Sequence, residues 1–210
     1  GTGYGIEIIA PYAERYITLD KHCAVDVAAL PSNVEFRTAK VPPLPFADGE
    51  FDYVVSFQVI EHIVRDREFV AEVMRVLKRG GKFIVSTPNR PMSLTRNPWH
   101  VREYCAEELK ALLSGFESVE CYGVGGNEQV WAYYAKNREA VRRIMRFDVL
   151  KMQWWVPRFV LQLPSDVLNR LNRRKLYANN SQLTEAINME DYHLQDVDSK
   201  CFDLFYIATK

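Results

Sequence analysis

Short runs rich in β-branched and aromatic residues recur through the first half of the chain, near 16–20, 34–38, 52–57 and 82–87, with helical patterns between them. Strands that alternate with helices pair in parallel through crossovers, so this order predicts an α/β protein built on a mostly parallel sheet. Phe69, Val70, Val73 and Leu77 have the spacing of one helical face, and Gly80-Gly81 is expected to stop that helix before the next strand. Two later apolar runs, Phe116 to Val124 and Cys201 to Ala208, read as further strands. The stretch between them is long for a connection. The expected organisation is a core over 1–125, a helical insertion or lid over 126–200 and a final core strand over 201–210.

Composition narrows the class. Among 210 residues, 27 Lys and Arg balance 27 Asp and Glu and 48% are hydrophobic, as in an ordinary soluble enzyme. No apolar run nears the ~20 residues of a membrane span and no charged-then-apolar leader opens the sequence, so a cytoplasmic location is expected. Cys23, Cys105, Cys121 and Cys201 form no C-x-x-C pair, which argues for reduced thiols and against a zinc site or a disulfide framework. Nucleic acid is not an expected partner, because the basic residues accompany no recognisable reading element.

Three motifs carry chemistry. Gly1-Thr2-Gly3-Tyr4-Gly5 is a turn in which a ligand can lie against bare backbone. Asp20, fifteen residues beyond Gly5, closes a strand, where a carboxylate can accept hydrogen bonds from both hydroxyls of a ribose. Ser56-Phe57-Gln58 ends the strand that begins near Asp52. The glycines alone would suit a purely structural turn, and Asp20 would also suit a nicotinamide dinucleotide, although the spacing is G-x-G-x-G and not G-x-G-x-x-G.

Taken in order with Leu44 to Asp52 and Leu77 to Asn89, these motifs resemble those of the class I S-adenosylmethionine-dependent methyltransferases. The resemblance implies a Rossmann-like fold with an antiparallel edge strand, S-adenosylmethionine as methyl donor and S-adenosylhomocysteine as product. It also implies a central strand before the glycine turn, and an apolar run ending in a small residue is expected upstream of Gly1. On this resemblance Gly1, Thr2, Gly3, Gly5, Asp20, Val41, Ser56, Phe57 and Gln58 are the donor-binding candidates. Many relatives carry an acid near position 40 that reaches the adenine amine. Here Ala39-Lys40-Val41 occupies the place, so backbone groups are expected to serve the adenine.

The acceptor side is read from two segments. Gln58, Glu61 and His62 stand at i, i+3 and i+4, the spacing of one helical turn. Some methyltransferases of this class hold a divalent metal with an E-x-x-E-H face and a distant His. Gln58 replaces the first acid here and is a poorer ligand for a hard cation, so no metal is expected. Pro88, Pro91 and Pro98 keep the stretch after the fourth strand irregular. Within it, Asn97 to Tyr104 resembles the acceptor loop of methyltransferases acting on sugars and other hydroxylated molecules. His100, then His62, with Tyr104 beside them, are the catalytic candidates; a helix-capping role for His100 is the plainer alternative.

In the expected insertion, Arg138, Arg142 and Arg146 make a charged stripe and Val141, Ile144 and Met145 an apolar one, which predicts an amphipathic helix. Trp154-Trp155, Arg158, Arg170, Arg173, Arg174 and Lys175 continue the basic character, and Glu185, Glu190, Asp191, Asp196 and Asp198 follow as an acidic stretch. Such a lid can pair its own halves, rest peripherally on an anionic membrane or cover an acidic acceptor. The expected function is O-methylation of a glycan, a lipid-linked sugar or a small hydroxylated metabolite. A NAD-dependent oxidoreductase and a non-catalytic donor-binding scaffold stay open beside it.

Overall fold

The computed structural model describes residues 3–22, 25–146, 156 and 187–210. Element order is α1 (Tyr4–Ile9), β1 (Tyr16–Asp20), β2 (Val34–Thr38), β3 (Phe51–Phe57), α2 (Asp66–Val76), β4 (Leu77–Pro88), α3 (Ala106–Leu112), β5 (Ser118–Gly126), α4 (Glu128–Met145), β6 (Tyr192–Asp196) and β7 (Asp203–Thr209). The chain is an α/β protein, with every strand expected from the sequence present within a few residues of its expected place.

The strands fall into two hydrogen-bonded groups, β1-β2 and β3-β4-β7-β5-β6. β1 pairs with β2, and β3 with β4, in parallel. The β4–β7, β5–β7 and β5–β6 pairs are antiparallel. β6 comes from within the expected insertion, so part of that segment belongs to the sheet and widens its antiparallel side. A cavity of about 280 Å³ lined by Tyr16 to Leu19 of β1 and Tyr53 to Phe57 of β3 separates the two groups.

The core forms where α2 and α3 cover one face of the larger sheet. In α2, Phe69, Val70, Val73 and Val76 recur at spacings of three and four and are buried. Asp66 and Glu68 in its first turn and Arg75 in its last complement the helix dipole. In β7 the period is two: Leu204, Tyr206 and Ala208 are buried against the helices, while Asp203, Phe205 and Ile207 face the other way. These side chains join Phe83, Val85, Leu109 and Leu113 in one cluster. Each large apolar member buried in this way contributes about 1.5–3 kcal/mol of transfer free energy.

Gly80-Gly81 acts differently from the expectation. α2 ends at Val76, and Leu77–Pro88 is one strand containing both glycines. The register shifts between Phe51 and Tyr53 opposite them, so the pair forms a bulge. Gly80 has φ 74° and donates its N–H to Lys210 O at 2.7 Å. At Gly81 a Cβ would stand 2.9 Å from Lys78 O and 3.0 Å from Asp52 O, too close for any side chain.

β3 and β4 run the same way and end at Phe57 and Pro88, antiparallel β7 begins beside them with Asp203 opposite Pro88, and Asp20 at the end of β1 lines one cavity with Phe57. This carboxyl edge is where open α/β sheets bind ligands.

Candidate active site

The donor-side candidates converge from three elements. Gly3 precedes α1 with φ 86°, and a Cβ there would lie 2.7 Å from Val25 Cγ1, so both conformation and space select glycine. Gly3, Gly5, Asp20 and Phe57 line one cavity of about 390 Å³, together with Thr18 and Val55. Asp20 sits at the end of β1 opposite Thr38, and its Oδ1 accepts the His22 N–H at 3.0 Å. Val41, Ser56 and Phe57 line the adjoining cavity between β1 and β3. Ser56 Oγ is buried there without a hydrogen-bond partner among the described residues. Gly1 and Thr2 lie outside the described residues.

Gln58 departs from the helical face expected of it. Its N–H still donates to Ser86 O at 3.0 Å, continuing the β3–β4 ladder, and its φ of 55° then turns the chain sharply. Only Ile60–His62 is helical, as a 3₁₀ turn, so Gln58, Glu61 and His62 do not share an α-helical turn. The positive φ is rare for a residue with a Cβ and marks a position held by its surroundings. The Gln58 side chain instead hydrogen-bonds Asp203.

Asp203 is the site residue that the sequence reading missed. Burial pushes its carboxyl up to about 6; the hydrogen bond from Gln58 opposes that rise and the nearby Glu61 charge adds to it. The available signal was an acid opening an otherwise apolar strand, Asp203-Leu204-Phe205-Tyr206-Ile207. Only the antiparallel placement of β7 brings it to the carboxyl edge of β3 and β4.

The acceptor-side candidates form a second group. His62 and His100 meet edge to face with ring centroids 5.0 Å apart. His62 Nδ1 lies 2.9 Å from Trp99 O, and a carbonyl only accepts, so Nδ1 carries the proton and Nε2 keeps a lone pair. That nitrogen is 3.9 Å from Glu61 Oε1, whose other oxygen accepts from Thr87 Oγ1 at 3.0 Å. His100 is held at both nitrogens: Nδ1 is 2.7 Å from Glu103 Oε1, and Nε2 is 2.8 Å from Asn97 Nδ2. The Asn97 amide is oriented because its Oδ1 accepts the Trp99 N–H at 3.0 Å, which leaves Nδ2 to donate to His100. Burial raises the Glu103 carboxyl, but hydrogen bonds from His100 and Ser93 and the Arg90 charge outweigh it and hold it below the usual range.

Tyr104 has a different place. It is only 2% exposed, and its hydroxyl donates to Asp66 Oδ2 at 2.8 Å. Asp66 also accepts from Arg102 and from the Arg67 N–H at 2.9 Å. Burial and the Asp66 carboxylate both push the phenol well above its ordinary value. These bonds tie the loop bearing His100 to the start of α2, and Val101 N–H adds a 2.7 Å bond to Glu61 O. The α3 cap is made by Glu108, which accepts the Cys105 N–H at 3.1 Å, so His100 is not the capping residue.

Glu61, His62 and His100 each place one potential ligand atom within 4.8 Å of the others. All three groups already have partners, Thr87 on Glu61, the Trp99 carbonyl on His62 Nδ1, and Glu103 and Asn97 on the two nitrogens of His100, so a cation held by His100 would have to displace Glu103 or Asn97.

Comparison with known proteins agrees with this geometry. Residues 1–85 match the family model described as a methyltransferase domain. A protein of Mycolicibacterium smegmatis named "Probable S-adenosylmethionine-dependent methyltransferase" is 43% identical over 133 residues, covering 59% of this chain and 52% of that protein. The chain thus spans about half the length of this relative. Among solved structures, the Bacillus subtilis YcgJ protein superposes with a TM-score of 0.56 at 19% identity, covering 100% of this chain and 88% of that one. The [4+2]-cyclase SpnF superposes at 0.58 with 17% identity, covering 100% of this chain and 72% of that one. Residues 1–85 are thus similar to a methyltransferase domain, and the chain shares its Rossmann-like fold with these two solved structures. That a cyclase has the same fold shows why the reaction must be argued from the site.

Proposed function

We propose that the protein is an S-adenosylmethionine-dependent methyltransferase acting on a hydroxyl of a glycan, a lipid-linked sugar or a small hydroxylated metabolite. The observation that carries this is the convergence of Gly3, Gly5, Asp20 and Phe57 on one cavity at the carboxyl edge of the sheet. The donor fits the residues present. Gly3 leaves backbone bare at the turn, Asp20 offers a carboxylate at a strand end, and Ser56 Oγ is a buried polar atom in need of a partner. When bound, the donor supplies a methyl group on a sulfonium, already a good leaving group.

The protein's own part is then alignment and proton removal. Asp20 accepts from ribose hydroxyls, and Phe57 forms a wall between the two cavities. Holding two reactants in line is worth effective molarities of up to ~10⁵–10⁸ M. His62 Nε2, with its lone pair free and its ring half-exposed, is the better placed base for an acceptor hydroxyl. The sequence placed His100 first; its two hydrogen bonds make it a positioning group that shapes the wall beside His62. Tyr104 acts behind it by anchoring the loop. Neither role needs a metal.

The test is transfer from isotopically labelled donor to cell extract separated into glycan, lipid and small-molecule fractions, with and without EDTA. Label in a hydroxyl-bearing product that persists in EDTA is expected. Label lost in EDTA and restored by magnesium would make Glu61, His62 and His100 metal ligands instead. Thermal stabilisation by NAD but not by S-adenosylhomocysteine would favour the oxidoreductase.

A further inference from the structure

α4 turns a mixed face toward the loop that follows β4. Trp131, Tyr134, Arg138, Val141, Arg142 and Met145 recur along it at helical spacing, and with Met92 to Leu94 and Lys200 they line an open cavity of about 510 Å³. The aromatic end is fixed in place. Trp131 and Tyr134 pack on Phe202 with ring centroids 4.8 and 5.4 Å away, and Tyr134 donates its hydroxyl to Met92 O at 2.9 Å. Arg138 and Arg142 stand one turn apart beyond the rings, and Lys200 reaches in from the β6–β7 turn.

Among the described residues, Arg143 pairs with Glu139, whereas the side chains of Arg138, Arg142 and Lys200 enter no ion pair. In a chain with 27 cationic and 27 acidic residues, such a local excess over an aromatic floor is a recognition feature and not a consequence of overall charge. Two guanidinium groups and an ammonium exceed what one carboxylate can satisfy. A phosphate monoester, with up to two negative charges and three acceptor oxygens, matches them, and Arg presents the planar fork that phosphate takes in pairs of bonds. Trp131, Tyr134, Val141 and Met145 would cover an apolar or sugar body attached to it.

The geometry points to this cavity as a binding site for a phosphate monoester carried on an apolar or sugar body. Its place suggests the use. Met92 follows Asn89, whose N–H donates to Phe202 O at 3.0 Å at the carboxyl edge of β4, on the same loop that carries His100. The site would hold the acceptor by its phosphate while a hydroxyl is presented to the donor cavity, an assignment that rests on the methyl-transfer function proposed above.

Calorimetry of the full chain, without donor, tests the pocket by itself. Hexyl phosphate is expected to bind about tenfold or more tightly than inorganic phosphate, which lacks the apolar body, with no binding of hexanol. The double variant Arg138→Gln/Arg142→Gln, at two exposed positions, should weaken hexyl phosphate about 10- to 100-fold, the range for lost hydrogen bonds between charged groups. Trp131→Ala should remove the preference over inorganic phosphate. Equal binding of hexyl phosphate to the double variant and the natural chain overturns the site. So does flotation on phosphatidylglycerol vesicles without binding of soluble hexyl phosphate, which would make the face a membrane-contact surface. S-adenosylhomocysteine titrated in parallel separates the two proposals: hexyl phosphate failing while it binds removes the pocket alone, and the reverse removes the methyl donor alone.

Discussion

Asp203→Asn isolates the most unusual charge in the site. Asp203 is raised from 3.8 to about 6, chiefly because burial penalises its ionised form. That rise corresponds to about 3 kcal/mol, and residual water contact trims this to about 2–3 kcal/mol. The sign follows from proton counts. Between about pH 4 and pH 6 the native state holds a proton on Asp203 that the unfolded chain has released, so stability falls as pH rises through this window. Below it both states are protonated, and above it the native state bears the full penalty of a buried carboxylate. Asparagine keeps the shape and never ionises. The variant should therefore match the natural chain at pH 4 and exceed it by about 2–3 kcal/mol at pH 7.5, read as urea-unfolding free energies at several pH values. A difference that does not change between pH 4 and pH 7.5 would refute the attribution to burial. A natural chain more stable than the variant at pH 7.5 would show that an unrecognised cation compensates Asp203.

Asp20→Ala should weaken S-adenosylhomocysteine by about 1.5–3 kcal/mol, the range for hydrogen bonds to a charged group; unchanged calorimetric affinity would remove Asp20 from the donor site. His62→Ala should lower kcat by ~10²- to 10⁴-fold at saturating donor, with His100→Ala affecting turnover less; the opposite order would restore His100 as the base. Gly3→Ala should cost about 1–2 kcal/mol from the left-handed backbone alone, more where Val25 cannot move, and a variant with an unshifted melting curve would show that the turn rearranges. Tyr104→Phe should destabilise the fold by about 1–3 kcal/mol by withdrawing a donor from buried Asp66, measured by urea unfolding; loss of turnover with stability intact would instead give its hydroxyl a direct role.

The strands, and the places of Gly3 and Asp20 in the fold, were legible in the sequence because they depend on local rules. A β-branched run favours a strand wherever it pairs, and Gly3 is selected by its own φ and by Val25 packed against it. Asp20 could be placed because a residue ending a parallel strand must lie at the carboxyl edge, whichever helices intervene. Helical periodicity found α2 for the same reason, though the Gly80-Gly81 pair was assigned to a helix stop when its N–H and its lack of Cβ serve a bulge against Lys210 and Asp52.

What only the tertiary structure decided are matters of who meets whom across long separations. Asp203 lies 145 positions from Gln58 in the sequence, and no local pattern announces their hydrogen bond. The ranking of the two imidazoles turned on which nitrogen already has a partner, which depends on Trp99, Asn97 and Glu103 being folded against them. Tyr104 stands close to His100 in the sequence, yet its hydroxyl bonds Asp66, 38 positions earlier. β6 likewise became part of the sheet only because β5 offered it a free edge. Local propensity selects the elements, but burial, hydrogen-bond partnership and charge environment are properties of assembled surfaces, and those set the chemistry of each side chain.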